Sequence, residues 1–422
     1  MLANLHNADI PRPVLDVLRR LRELEFAVFL VGGCVRDMVR GVPPKDFDVA
    51  TSALPEQVQG AFKKVIPTGI QHGTVTVVIG GHHVEVTTFR SEGDYHDGRR
   101  PSSVSFETDI NEDLSRRDFT INAMAYDPIS RDLVDPFGGQ ADLQARVIRC
   151  VRDAHERFSE DGLRALRAVR FAAVLGFAIE PATLAAIPPT LPVFRKVALE
   201  RVREELVKTL LTPRAESGLT LLAETGLLDV FLPELARADT EAARLARAAA
   251  QAAPAEAELR LAALLADLVS GPQAKDIGIR LKFPNKVAEL VGLLVAHAAL
   301  EAQLAASDPA LRRLLAKVGL GTLESLLAVA HARIQIRVPE QLPDFLRLQE
   351  RLRSLAAEKP PLSAKELALT GGNIMATLGV GPSPIVGEAT RFLLESVLDD
   401  PTLNQAERLK DLLRTWQAGK GS

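Results

Sequence analysis

Asp46 and Asp48 are separated by one phenylalanine in KDFDVAT (45–51). Residues two apart on a strand share a face, so this spacing predicts both carboxylates on one side, with Phe47 and Val49 turned inward. Two carboxylates a few ångström apart repel unless a divalent cation sits between them. Mg²⁺ takes one or two carboxylates together with phosphate oxygens, and two such ions can clamp the attacking and leaving oxygens of a phosphoryl transfer. Just upstream, Gly32 and Gly33 follow the apolar run FAVFLV (26–31) and open CVRDMVRG (34–41). A strand-to-helix turn of this kind presents backbone N–H groups that favour an anion, and Arg36, one turn in, reaches toward the same group. A tight turn with a local Arg36–Asp37 ion pair would explain the glycines and the arginine without chemistry. It would leave the two carboxylates unexplained, although an isolated D-x-D also arises by chance on surface strands.

An α/β unit must position these residues. FAVFLV reads as a short buried strand and CVRDMVRG as a short helix closed by Gly41. TVTVVIG (74–80) and HVEVTTF (83–89) alternate as paired strands around a GGH turn. Beyond about residue 150 the strand signal ends. ERFSEDGLRALRAVRFAAVLGF, LERVREELVKTLL and the Ala/Leu/Glu/Arg-rich stretches after residue 215 carry helical periodicity, broken at Pro213, Pro233, Pro272, Pro284 and Pro360-Pro361. No fixed repeat period runs through this array, so it is not a solenoid.

A chain of 422 residues exceeds one ordinary core, and 47% hydrophobic with 25% charged residues describes a folded, soluble protein. The two cysteines, Cys34 and Cys150, have no ligand spacing and fit a reducing compartment. MLANLHNADIPRP lacks the pattern of a signal peptide and no apolar run approaches a membrane span, so the cytoplasm is expected. Residues 146–214 hold 13 Lys and Arg against 8 acidic residues, a net +5 within a chain of net charge −3. Such a band fits a polyanion met locally, or simply a solvated helical face.

The ordered motifs GGCVRDMVRG…KDFDVAT, PTGIQHGTVTVVIGGHHVEVTTFR (67–90), SRRDFTINAMAYD (115–127), DPFGGQADL (135–143) and RFSEDGLRALRAVRF (157–171) resemble the class II nucleotidyltransferases. That family comprises bacterial-type tRNA CCA-adding enzymes and poly(A) polymerases, and the 67–90 segment is closer to the tRNA-enzyme branch. The strong motifs cover about residues 27 to 210, and SAKELALTGGNIMATLGVGPSPIVGEATRFLLESVLDDPTLN (363–404) is similar to the family's C-terminal region. The resemblance implies an α+β chain: a palm-like nucleotidyltransferase head with a mixed sheet (1–148), then an all-α neck (149–212), body (213–335) and tail (336–422).

It also implies roles. Asp46 and Asp48 would be the catalytic, Mg²⁺-holding pair, with Gly33 and Arg36 at the nucleotide. Arg117 would lie on the triphosphate, as a guanidinium fork suits, with Asp118 and Asn122 beside the sugar; an Arg117–Asp118 ion pair is the plain alternative. Glu85 is either a third acidic site residue or a satisfied sheet carboxylate. Asp161 and Arg164, three apart and so neighbours on one helix face, would read the base, unless they form only a helix salt bridge. Cytosine offers N4–H₂ beside acceptor N3 and adenine N6–H₂ beside acceptor N1. A carboxylate with a guanidinium matches both, whereas uracil and guanine present the reverse pattern. Arg167 and Arg170 would reach toward the nucleotide.

FRSEGDYHDGRRPSSV (89–104) reads as a mobile loop, which in the family is needed for the switch to A addition and is missing from CC-only enzymes. LAALLADLVSG (261–271) resembles a segment that carries an H-D metal dyad in some relatives. Here that position reads Ala266-Asp267, so no second hydrolase site is expected. The implied partners are the 3′ end of tRNA, held as an acceptor minihelix, with CTP and ATP. An A-adding enzyme, a poly(A) polymerase and a non-catalytic RNA-binding protein remain as alternatives.

Overall fold

The structure, a computed structural model, describes residues 2–6, 8–92, 104–238 and 240–420. The chain packs as two units, Met1–Arg237 and Ala238–Ser422.

In the first unit, helix α1 (Arg12–Glu23) buries Val14, Val17, Leu18 and Leu21, its i, i+3, i+4, i+7 face. It leads into β1 (Val28–Val31). Gly32 then turns the chain with φ +75° and ψ −130°, a conformation closed to L side chains, and α2 (Gly33–Arg40) follows, closed by a left-handed Gly41. Strand β2 (Asp48–Thr51) runs antiparallel to β1, with Val31 opposite Asp48. After β3 (Val65–Gly69), the Val/Thr alternation of β4 (Thr74–Ile79) and β5 (His82–Thr88) forms the hairpin read from the sequence, with positive-φ glycines at 80 and 81. The short strands β6 (Arg90–Glu92) and β7 (Val104–Phe106) pair antiparallel. Residues 93–103, most of the segment read as a loop, lie outside the described residues.

Helix α3 (Ile110–Ser115) precedes the last two strands of the sheet, β8 (Ala125–Asp127) and β9 (Asp132–Val134). The seven strands lie in the order β3-β4-β5-β2-β1-β8-β9. β2 is parallel to β5 and antiparallel to β1, so the sheet is mixed. Its interior is lined by Leu30, Val31, Val49, Val75, Val77, Val84 and Val86, all buried.

Three sequence expectations are corrected here. The pairing of β2 starts at Asp48, and Asp46 lies in the bend before it, so the two carboxylates are not alternate residues of one strand. SEDGLRALRAVRF is not one helix. A two-residue strand β10 (Val147–Ile148) precedes α4 (Ala154–Glu160), which stops at Asp161 in extended backbone (φ −139°). Helix α5 (Leu163–Leu175) starts after Gly162. The backbone leaves the helix at Asp161, and packing then requires glycine next to it: a Cβ on Gly162 would lie 2.6 Å from the backbone N and Cα of Phe194. Strand character also continues past residue 150, because β11 (Ala178–Ile179) pairs in parallel with β10; two residues are too few to show a period. Helix α6 (Leu199–Leu210) packs on α5.

In the second unit the described residues form α-helices joined by short 3₁₀ turns. Buried Arg333 donates from Nε to Asp267 at 2.7 Å and from Nη1 to Glu301 at 2.6 Å, and Arg337 adds a second ion pair to Asp267 at 3.1 Å. The acid at the dyad-like position is therefore held by two guanidiniums. The C-terminal helices enclose a separate cluster of Leu369, Ile374, Leu393, Leu409 and Leu413. Among the described residues no single helix is long and apolar enough to cross a membrane.

Candidate active site

Asp48 stands at the wall between two clefts of the first unit. One, about 430 Å³, is lined by Gly32, Gly33, Arg36, Arg116, Arg117, Asn122, Asp161, Arg164, Arg167 and Arg201. The other, about 780 Å³, lies over the sheet and is lined by Lys45, Asp46, Thr68, Thr76, His83 and Glu85. Asp48 lines both.

The parallel register sets Glu85 beside Asp48, and both reach solvent together with Asp46. The protein packed around Asp48 disfavours its charged form, and the Glu85 and Asp46 carboxylates push its pKa up further, against the pull of Arg117. Hard oxygen donors crowded in this way suit a divalent cation. Among the described residues no three or more His, Cys, Asp or Glu side chains converge as a metal site, so the protein would supply at most two carboxylates. That donor set fits Mg²⁺, which keeps waters and phosphate oxygens in its shell.

Each arginine of the smaller cleft is anchored by a carboxylate from elsewhere on the chain or beside it. Asp113, fully buried on α3, accepts from Arg117 Nη2 at 3.0 Å and from Arg116 at 2.7 Å. Burial opposes ionisation of Asp113, but the charges and hydrogen bonds of Arg117 and Arg116 outweigh it and hold its pKa below the usual carboxylate range. Arg117 Nη1 passes so close to Gly32 that a Cβ there would lie 2.8 Å away, and its buried Nε has no partner among the described residues. Arg36 donates to both oxygens of Asp37, at 3.0 and 2.9 Å, so the local ion pair does form. It also donates from Nη1 to Asn122 Oδ1 at 2.9 Å.

Asp118 does not face the cleft as an open group. Its Oδ2 accepts from Arg167 Nε and Nη2 at 2.8 and 2.6 Å, and its Oδ1 from Phe119 N and Asn122 Nδ2 at 2.9 and 3.1 Å. Burial would raise this carboxyl, yet Arg167 and the Asn122 hydrogen bond bring it down to about 2. Arg117 is paired with Asp113 rather than Asp118.

The structure brings Gly33, Arg36, Asp48, Arg117, Asp161, Arg164 and Arg167 to one cleft and leaves Asp46 on the other side of the shared wall. Arg170 is corrected: it is buried, ion-paired with Glu205, 3.8 Å over the Phe171 ring, and does not line the cleft. Two steps of three along α5 from Arg164 carry it around to the α6 side. The plain alternative for Asp161 and Arg164, a helix salt bridge between the two, does not form. Asp161 is held by Arg201 of α6, and Arg164 by Glu160 and the carbonyls of Arg157 and Arg116. Asp113, Arg116, Glu160, Phe171 and Arg201 were missed. Arg116, Glu160 and Phe171 lay inside the quoted motifs without a role of their own, Arg201 was one charge of the basic band, and Asp113 carried no signal. Phe171 lies under three guanidiniums, with Arg36 and Arg167 each 5.4 Å from its centroid.

Residues 28–149 match the family model described as the poly A polymerase head domain. Residues 176–239 match a probable RNA and SrmB-binding site of polymerase A, and 255–413 a putative tRNA nucleotidyltransferase domain 2. A CCA-adding enzyme of Geobacillus stearothermophilus is 38% identical over 396 residues, 94% of each chain. One of Lactobacillus delbrueckii subsp. bulgaricus is 36% identical over 98% of this chain and all of that one. The crystal structure of a Bacillus stearothermophilus CCA-adding enzyme in complex with CTP superposes with a TM-score of 0.80 at 33% identity, covering 98% of this chain and 100% of that one.

Proposed function

We propose that this chain, which belongs to the class II tRNA nucleotidyltransferases, builds or repairs the CCA 3′ end of tRNA from CTP and ATP, releasing pyrophosphate. The observation that carries the reading is the position of Asp48 between an arginine-lined cleft and a larger cleft over the sheet. A nucleoside triphosphate suits the first and the tRNA 3′ terminus the second, so that the attacked phosphorus meets the terminal hydroxyl at the shared wall.

In this reading Arg117, Arg36 and Arg167 bind the triphosphate with the backbone of Gly33, and Asp161 and Arg164 read the base edge. Arg170 acts only by fixing Phe171 and Glu205 beneath them. Asp46 and Asp48 would hold Mg²⁺, which would lower the pKa of the attacking hydroxyl and neutralise the leaving oxygens. The positively charged residues of the neck (149–212), with body and tail, grip an acceptor minihelix through phosphates and shape, as suits A-form RNA. A cytoplasmic location is part of the proposal, supported by two cysteines that are free and buried.

The test is incubation with tRNAs ending before C, after CC and after CCA, supplying each nucleotide separately. CTP incorporated twice and ATP once, with no growth of the complete end, is expected. No CTP incorporation would make the chain an A-adding enzyme, or a poly(A) polymerase if A addition continues unchecked. No incorporation of any nucleotide would leave an RNA-binding protein.

A further inference from the structure

We propose that Arg201 is a positioning residue that sets base specificity, by leaving Asp161 a single acceptor position aimed at the cleft. This rests on the reading above in which Asp161 meets the base. An ionised carboxylate only accepts, at about four lone-pair positions. Arg201 lies 40 positions away in sequence, near the start of α6. It donates from Nη1 to Asp161 Oδ1 at 3.2 Å and from Nη2 to Oδ2 at 2.7 Å. Leu163 N–H donates to Oδ1 at 3.1 Å. Among the described residues no other hydrogen bond reaches this carboxylate, so one position remains, on Oδ2. Asp161 and Arg201 both line the arginine cleft.

The two parallel N–H···O bonds fix the plane of the carboxylate as well as its place. One remaining acceptor takes one N–H, which cytosine provides at N4 and adenine at N6. Uracil and guanine would bring a carbonyl oxygen against that lone pair. Without Arg201 the carboxylate turns about Cβ–Cγ and loses its fixed acceptor direction; it still accepts, but its bond to the amino group is no longer held in line, so the margin over the carbonyl narrows. Arg164, held by Glu160 and by the Arg116 carbonyl at 3.0 Å, supplies the neighbouring donor for N3 or N1 and does not depend on Arg201. Arg201 thus acts through Asp161, without having to touch the base or the phosphates.

The experiment compares Arg201→Met, Arg201→Lys and Asp161→Ala on a tRNA lacking CCA. It reads kcat/KM for CTP and for UTP, and inhibition by tripolyphosphate. The CTP-to-UTP ratio does not depend on the fraction of protein that is folded. For Arg201→Met the ratio should fall roughly 5- to 150-fold, as for loss of a bidentate base contact, with tripolyphosphate inhibition unchanged. Lysine, which keeps the charge but not the fork, should restore part of the ratio. An unchanged ratio in Arg201→Met, with a collapsed one in Asp161→Ala, would overturn the role of Arg201 and leave the base-reading assignment standing. Weakened tripolyphosphate inhibition in Arg201→Met would make Arg201 a phosphate ligand and overturn the proposal. An unchanged ratio in Asp161→Ala would overturn the base-reading assignment, and the role of Arg201 with it.

Discussion

Replacing Gly32 with alanine should separate backbone strain from chemistry. At φ +75° and ψ −130° Gly32 sits where only glycine is comfortable, and a side chain there costs ~1–3 kcal/mol. The added Cβ would also stand 2.8 Å from Arg117 Nη1, so the guanidinium tip, which Asp113 holds through Nη2, must move from its place beside the turn. Gly41→Ala is the control. Its φ of +74° and ψ of 27° are left-handed as well, with a cost of roughly 1–2 kcal/mol, and its Cβ would meet only the Asn4 side chain. Both variants should therefore lose a few degrees of Tm, at about 2–4 °C per kcal/mol for a unit of this size. Only Gly32→Ala should lose catalysis as well. A hydrogen bond between a guanidinium and a phosphate contributes ~1.5–3 kcal/mol, which corresponds to roughly 10- to 150-fold in kcat/KM for CTP. The assay is labelled CTP incorporation on a tRNA lacking CCA, below the Tm of both variants. A Gly32→Ala protein with kcat/KM within about threefold of wild type, beside the expected fall in Tm, would refute the placement of Arg117 on the triphosphate.

Asp46→Asn and Asp48→Asn should each abolish nucleotide addition. Because Asp48 has a raised pKa in the fold, its charge costs stability at neutral pH, and Asp48→Asn should unfold at an unchanged or higher denaturant concentration. A rate above about a tenth of wild type, a loss of only ~1.4 kcal/mol, would remove these residues from catalysis. Asp118 behaves oppositely. Its carboxyl is lowered from 3.8 to about 2, so it adds about 2 kcal/mol above pH 4 that is lost as the pH falls through 2. The stability gap between wild type and Asp118→Asn, read by denaturant unfolding, should be widest near pH 7 and narrow on acidification; a pH-independent gap would refute the Arg167–Asp118 coupling. Asp267→Ala should destabilise the second unit by roughly 3 kcal/mol, the low end for a broken buried pair because Arg333 keeps Glu301. CTP incorporation by the folded protein should persist, and a metal-dependent phosphohydrolase activity lost in this variant would overturn the structural role of Asp267.

Local periodicity carried what depends on neighbours in sequence. The β4–β5 alternation, the Gly41 stop and the strand–turn–helix around Gly32 all follow from residues within a few positions of one another. Asp46 escaped that reading because a strand begins where a partner begins, and the partners of Asp48, Val31 and Glu85, come from other segments. The break at Asp161-Gly162 escaped it for the same kind of reason. SEDGLRALR is compatible with one helix, and neither the extended backbone at Asp161 nor the approach of Phe194 that demands glycine at 162 shows in the local pattern.

Arg36, Arg117, Arg164 and Arg167 were legible while the carboxylates that hold them, the neighbouring Asp37 apart, were not legible as anchors, which follows from what a guanidinium does. It carries five N–H donors in a planar fork, so a carboxylate can hold one edge while another faces a ligand, something a lysine's single ammonium cannot offer. Arg117 is held by Asp113, Arg167 by Asp118, Arg164 by Glu160 and Asp161 by Arg201, across separations of 4, 49, 4 and 40 positions. Two of these pairs share a helix or straddle its end, and two join distant segments, so no single spacing identifies them. Their common effect is physical. A cleft walled by unpaired guanidiniums would repel itself and open, whereas one in which each cation is braced by an anion keeps its shape before any triphosphate arrives. The ligand then completes the donor sets without first having to order them.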